Sequence, residues 1–255
     1  MAKYNKYSNY YDILYEDKNY SKEVDFVEKF IKIMSPTAKR ILSLGCGTCN
    51  YEIIFAERGY DVTGLDMSRD MLEVAKKKIL KEKLNGNIKL VNTNIQNFAL
   101  PCEFDVSIAL FNVLGYQTTD RQITSVLANV HKSLKPGGIF MFDCWYLPAV
   151  LKNGPTNRLK EVSFNGYKIK RYTKSTIDID NNQIIIKFLI EEYKRNKKAR
   201  SFQELHKVRY WSLSEIENLL KNAGFRIVKT CEFMKEKQRI SEKAWNMFVV
   251  AQREK

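Results

Sequence analysis

Ile41-Leu42-Ser43-Leu44-Gly45-Cys46-Gly47-Thr48-Cys49-Asn50, followed by Gly64-Leu65-Asp66, decides the fold of this 255-residue chain. An apolar run ends in two glycines one residue apart, a helix-like segment follows, and a second apolar run ends in an acid. Gly45 and Gly47 allow a sharp turn and close approach of backbone to a ligand, and Asp66 can accept both hydroxyls of a ribose. A pyrophosphate-binding loop carries a third glycine three residues beyond the second, where the phosphates meet a helix N-terminus. Asn50 holds that position here. The loop therefore suits a cofactor with a ribose and no pyrophosphate, and S-adenosylmethionine (SAM) is the leading candidate, with S-adenosylhomocysteine (SAH) as its product.

Residues 42–49 resemble Leu-Asp-Leu-Gly-Cys-Gly-Thr-Gly, the first motif of the class I SAM-dependent methyltransferases. Ser43 stands where an acid is common, and Cys49 where a third glycine is common. The resemblance runs from about Tyr11 to Ala251. It implies an α/β fold: a Rossmann-like seven-stranded sheet with helices on both faces, plus an antiparallel β insertion covering the active site. Three further stretches resemble a narrower branch, the N-methyltransferases of nucleotide-linked amino sugars. Phe111-Asn112-Val113-Leu114-Gly115-Tyr116 is similar to their Met-Phe-Ser-Ser-Ile-Gly-His/Tyr. Asp143-Cys144-Trp145-Tyr146-Leu147-Pro148 is similar to their acid-Pro-Trp-Trp-x-Pro. Tyr11-Asp12-x-x-Tyr15 with Tyr20 resembles their N-terminal lid.

Composition narrows the classes. A hydrophobic fraction of 44% and an aromatic fraction of 12% belong to a folded chain, and no apolar run reaches the length of a membrane span. The Lys- and Tyr-rich N-terminus has no apolar signal core, and five irregularly spaced cysteines do not form a disulfide framework, so a cytoplasmic setting is expected. Cys46-x-x-Cys49 lacks a second pair to complete a metal site, and no metal is expected. The net charge is +14, and residues 152–209 hold fifteen Lys/Arg against six Asp/Glu, so +9 of that excess lies there. This segment is either a solvated lysine-rich face or a surface for an anionic partner.

Hydrophobic periodicity predicts a helix capped by Ser21 and stopped by Pro36, then strands at 40–45, 61–66, 88–92, 104–111 and 139–143. Helices are expected at 51–58, from Ser68 to about 84, and at about 121–134, with Lys135-Pro136-Gly137-Gly138 as a turn. Such alternation means a parallel sheet with right-handed crossovers. Residues 161–174, 175–179 and 183–193 then alternate as antiparallel strands, with Asn181-Asn182 as a turn, a charged turn at 194–200 and a further strand at 201–210. A helix at 212–223 and strands at 225–232 and 245–251 complete the pattern. The chain is thus divided into a helical lid (1–35), a SAM-binding core (36–150), the insertion (151–210) and a segment completing the core sheet (211–255).

Ligands in such sheets lie beyond the carboxyl ends of the strands, where strand order reverses. Gly45, Cys46, Gly47, Asp66, Met67, Asn94 and Ile95 are the cofactor candidates there. The resemblance adds Tyr15, Tyr20 and Phe111 to the cofactor set and places Tyr116 near the acceptor. Tyr116, His206, Asp143 and Tyr11 are the candidates for acid–base or orienting work. Asn112, Trp145, Tyr146 and Arg209 are the candidates for substrate contact. Methyl transfer from a sulfonium needs mainly alignment when the acceptor is an amine, and a base when it is an alcohol. The expected partner is a small anionic acceptor, N-methylation being favoured over O-methylation. Nucleic acid and membrane are not expected, and a homodimer is allowed but not required. An RNA methyltransferase and a non-catalytic SAM-binding regulator stay open as alternatives.

Overall fold

The computed structural model describes residues 7–254. Tyr4, one of six tyrosines in the first twenty positions, lies outside them. The chain begins with two helices, α1 (Ser8–Leu14) and α2 (Tyr20–Met34). Asn19, not Ser21, caps α2: its Oδ1 accepts the Lys22 N–H at 3.0 Å, which satisfies one of the unpaired amides of the first turn. Val24, Val27, Phe30 and Ile31 form the buried face of α2.

β1 (Arg40–Leu44), α3 (Asn50–Glu57), β2 (Asp61–Asp66), α4 (Arg69–Lys81) and β3 (Ile88–Asn92) alternate as the sequence predicts. β4 (Phe104–Ala109), a 3₁₀ turn (Val113–Tyr116), α5 (Asp120–Ser133) and β5 (Leu134–Trp145) follow. Ser68 caps α4, and Thr119 with Gln122 forms a reciprocal capping box on α5. The chain ends with α7 (Leu213–Asn222), β10 (Phe225–Glu232) and β11 (Asn246–Arg253) after a short helix and an antiparallel unit described below.

The large sheet has the order β10-β11-β5-β4-β1-β2-β3, and only β11 runs against its neighbours. Alternate side chains of its strands feed two cores. Leu42, Leu44, Phe140 and Phe142 pack with Ile123, Val126, Leu127 and Val130 of α5. Ile41, Val62, Val106 and Met141 pack with Val24, Val27 and Ile31 of α2 and Phe55 of α3. Because β4 returns beside β1, the switch in strand order falls between those two strands. Their carboxyl ends form the crevice that positions the site.

Two turns differ from the sequence reading. Lys135-Pro136-Gly137-Gly138 is absorbed into the start of β5, where the pairing with β4 shifts register between Phe104 and Val106. A bulge accommodates the proline without a full break in the strand. The stretch 161–174 is not one strand. β6 (Arg158–Phe164) and β7 (Tyr167–Asp178) are joined by Asn165-Gly166, both at positive φ. Asn-Gly suits the tight hairpin turn, and alternation continuing through both arms hides the break.

β8 (Gln183–Lys194) and β9 (Lys197–Arg209) complete an antiparallel sheet of order β6-β7-β8-β9, and Arg195-Asn196 makes their turn. A short helix, α6 (Leu147–Asn153), connects β5 to this sheet and starts with a proline in its first turn. The insertion packs over the carboxyl end of the large sheet through Ile184, Ile186, Val208 and Tyr210 against Val150, Tyr116 and Trp145. α1 closes the other side, with Tyr7, Tyr10 and Leu14 against Ile169 and Ile190. Among the described residues no helix is long and apolar enough to cross a membrane.

Candidate functional site

The turn after β1 is built from left-handed residues: Gly45 at φ +64°, Gly47 at +53° and Cys49 at +62°. Gly45 is also sterically required, because a Cβ there would stand 2.7 Å from Cγ2 of Val113. The loop after β1 is thereby pressed against the turn after β4. Gly64 has a similar constraint, with Sγ of Cys46 at 2.8 Å from where a Cβ would lie. The Cys46 amide donates to the Leu65 carbonyl at 3.0 Å, and the Gly47 amide donates to Oδ2 of Asp66 at 2.8 Å. Oδ1 of Asp66 accepts the Ser68 amide at 2.8 Å. Burial raises the Asp66 pKa, opposed by these backbone donors.

One carboxylate therefore joins the glycine turn to the start of α4. Each of its oxygens accepts one amide, and each keeps acceptor capacity. Beside it, Met67 is half-exposed, Ile95 is buried, and Oδ1 of Asn94 accepts the Gln96 amide at 3.0 Å. The Thr93 amide donates to the Asp66 carbonyl at 3.0 Å, which keeps the strand ends together. This backbone cradle and partly free carboxylate fit an adenosyl ribose. The Cys46 thiol is pushed well above the ordinary cysteine range by its hydrogen bond with Cys49 and by burial, so it stays protonated. Among the described residues no cluster of three or more His, Cys, Asp or Glu could hold a metal.

Phe111 and Asn112, at φ +65° and +58°, form a second left-handed turn, and strain of this kind concentrates at functional sites. Asp143 supports it from β5: its two carboxylate oxygens accept the Asn112 amide at 3.2 and 3.1 Å. Asp143 is 2% exposed, and burial raises its pKa to about 7. This carboxyl lies behind the turn, where it fixes backbone. Asn112 is buried too, and Gly115 is required beside it, since a Cβ there would stand 2.7 Å from Oδ1 of Asn112.

Asp12 and Lys18, to which the sequence reading gave no role, join the candidate tyrosines in tying α1 and α2 to the crevice. Asp12 accepts from Thr48 Oγ1 at 2.6 Å, Asn50 Nδ2 at 3.0 Å and Lys78 Nζ at 3.1 Å. It thus links α1, the glycine loop and α4. The rings of Tyr11 and Tyr15 lie 4.9 Å apart, and Tyr15 meets Phe111 edge-on at 5.2 Å. Lys18 Nζ sits 4.4 Å from the Phe111 ring centre and 5.4 Å from that of Tyr20, and pairs with Glu23. Behind the loop, the Ser43 hydroxyl donates to Oε1 of Glu52 at 2.5 Å. Glu52 is 1% exposed, and burial raises its pKa to about 7. The acid that position 43 lacks is thus present one helix turn into α3.

Over the crevice, the Tyr116 hydroxyl stands 3.3 Å from Nδ1 of His206 on β9. His206 is fully buried and lies against Phe188 at 5.0 Å. Trp145 packs on Trp245 at 5.7 Å, and Tyr146 forms a backbone bridge to Trp211. Arg209 does not present a bare charge: it pairs with Asp120 at 2.7 Å and with Glu215, and its guanidinium stacks on Trp211 at 4.3 Å. Arg171 on β7 contrasts with it. Its guanidinium lies 5.1 Å from the Tyr15 ring and 5.0 Å from the Phe188 ring, and donates to the Tyr7 hydroxyl at 2.7 Å. Its Nε is buried and has no partner among the described residues. Elsewhere the basic excess of the insertion is partly neutralised, Lys168 and Lys170 by Glu161, Lys160 by Asp17 and Lys198 by Glu191.

Residues 41–138 match the profile of the methyltransferase domain family. Over 223 residues the chain is 23% identical to a dTDP-3-amino-3,4,6-trideoxy-alpha-D-glucopyranose N,N-dimethyltransferase of Streptomyces venezuelae, covering 87% of this chain and 90% of that protein. A crystal structure of a SAM-dependent methyltransferase from Clostridium acetobutylicum superposes with a TM-score of 0.82 at 19% identity, covering 99% of both chains. SAM-bound CalS10, an amino pentose methyltransferase from Micromonospora echinaspora, superposes with a TM-score of 0.77 at 20% identity, covering 99% of this chain and 98% of that one. With its glycine turn, its strand order and the match at residues 41–138, the chain carries a methyltransferase domain in the class I, SAM-binding fold, and it is similar to the amino-sugar N-methyltransferases.

Proposed function

We propose that this enzyme methylates the amino nitrogen of a small, nucleotide-linked sugar. SAM supplies an electrophilic methyl carbon on a sulfonium leaving group. The backbone of Gly45, Cys46 and Gly47 and the Asp66 carboxylate hold the adenosyl ribose, with Met67, Asn94 and Ile95 bordering the adenine. Tyr15, Tyr20 and Phe111 wall the methionyl side. Tyr11, Tyr116 and His206 face the acceptor, with Asn112, Trp145 and Tyr146 around it. Asp143 acts at one remove by holding the Phe111–Asn112 turn. An unprotonated amine is nucleophilic enough for alignment to supply most of the acceleration.

The observation that carries the anionic acceptor is Arg171. A largely buried guanidinium surrounded by phenols and a phenyl ring is costly unless an anion meets it. A phosphate or diphosphate beside the lid matches its forked donors. Arg171 thus takes the part that the sequence reading gave to Arg209, whose charge two carboxylates already meet.

The test is turnover with SAM on paired acceptors, a dTDP-linked amino sugar and its hydroxyl analogue, read by mass spectrometry together with SAH release. The amine should gain one or two methyl masses, and Arg171→Met should raise KM for the nucleotide sugar with SAM affinity preserved. Methylation of the hydroxyl analogue alone, or of RNA alone, would overturn the assignment.

A further inference from the structure

Beyond Tyr116 and His206, the insertion carries a third group in line with them. Oε2 of Glu204 lies 3.2 Å from Nε2 of His206, and the Tyr116 hydroxyl lies 3.3 Å from Nδ1 of the same ring. Glu204 and His206 are two apart on β9, so both point to one face of the strand, and Tyr116 comes from the turn after β4. The imidazole is 0% exposed and flanked by the Phe188 ring, so water does not compete for it. A carboxylate within ion-pair distance of one nitrogen and a hydroxyl beside the other can fix a histidine tautomer and stabilise its cation once the ring or the carboxylate turns to align Nε2–H with Oε2.

We infer that Tyr116, His206 and Glu204 form a proton relay that frees the acceptor amine, a reading that rests on the amine acceptor proposed above. In solution at neutral pH an aliphatic amine is mostly protonated and has no lone pair to offer. In the relay His206 begins neutral, with its proton on Nε2 toward Glu204 and Nδ1 open to the Tyr116 hydroxyl. The ammonium N–H bond breaks and its proton passes to Oη of Tyr116, while the phenolic proton passes to Nδ1. The amine regains its lone pair, Tyr116 ends as it began, and His206 becomes an imidazolium held by Glu204. The proton leaves to solvent when product departs. Glu204 is the positioning residue, since it acts through the imidazole alone. Titratable groups around the ring include Tyr116, Glu204 and Tyr11 beside Tyr116. Tyr7 and Arg171 lie across Phe188.

Two measurements on the full chain test the relay. The first is the pH profile of kcat/KM on the amino-sugar nucleotide for wild type, Tyr116→Phe, His206→Gln and Glu204→Gln, with SAM affinity measured for each. His206→Gln should lose about 100-fold at pH 7, the scale of general-base catalysis. It should regain most of this at high pH, where the amine is already free, with SAM affinity unchanged. Glu204→Gln should show the same recovery with a smaller loss. A loss equal at every pH, or none, would overturn the relay. The second needs no acceptor, so it decides the relay even where the acceptor reading fails: nitrogen-15 NMR of the histidines. The His206 ring should carry its neutral-state proton on Nε2, and Glu204→Gln should weaken that tautomer preference. A proton on Nδ1, or a tautomer indifferent to Glu204→Gln, would refute it.

Discussion

Replacing Glu52 by Gln should remove a specific pH dependence from the stability of this enzyme. Glu52 is sealed behind the glycine turn with Oε1 on the Ser43 hydroxyl, and Oε2 is buried with no partner among the described residues. Burial moves its pKa from the ordinary 4.5 to about 7. The folded protein therefore keeps a proton that the unfolded chain releases. For an acid whose folded pKa is raised, stability is complete below about 4.5 and is lost as pH climbs through that value toward about 7. The separation corresponds to about 3 kcal/mol, most of it spent between pH 5 and pH 8. Glutamine has no charge to lose, although its amide leaves buried donors unmet and lowers stability by about 1–3 kcal/mol at every pH. The difference in unfolding free energy between the two proteins should thus shift in favour of the variant by about 2–3 kcal/mol from pH 5 to pH 8, measured by urea denaturation at each pH. Parallel pH profiles for the two proteins would refute a buried, proton-holding Glu52.

Asp66→Ala should weaken SAM binding by about 1–3 kcal/mol in calorimetry, the scale of charge-assisted hydrogen bonds to a ribose, and an unchanged Kd would remove Asp66 from the site. Asp12→Ala releases Thr48, Asn50 and Lys78 together, so SAM dissociation measured by stopped flow should quicken by about tenfold; an unchanged rate would make the Asp12 tether irrelevant to the cofactor. Gly45→Ala adds both a left-handed alanine and a contact with Val113, and should cost about 2–4 kcal/mol in chemical denaturation; a neutral effect would mean the two strand ends are not in contact.

The parts legible in the sequence were those written in local chemistry. Two glycines one residue apart permit a left-handed turn that other residues resist, and an acid closing the next strand falls beside them once those strands pair in parallel, as Ser43↔Gly64 and Leu44↔Leu65 do. What escaped depended on distant partners. Arg171 and Arg209 are both basic residues on alternating strands, and only the fold shows that Arg209 meets two carboxylates while Arg171 meets rings. Asp143 reads as a candidate base because it ends a strand, yet the register carries it under the Asn112 amide. Glu52 gave no signal at all: a glutamate in the first turn of a helix is ordinarily solvated, and its burial follows from the packing of α3 on the sheet. Asn165-Gly166 was readable and was masked by continuous alternation on either side.

The most direct test of the account is a crystal structure of the enzyme with SAH. The ribose hydroxyls should lie within hydrogen-bonding distance of Asp66, with the Gly45–Gly47 backbone against the ligand and the Gly47–Asp66 hydrogen bond retained. SAH bound elsewhere, or a ribose held by other groups with Asp66 turned away, would contradict the central claim.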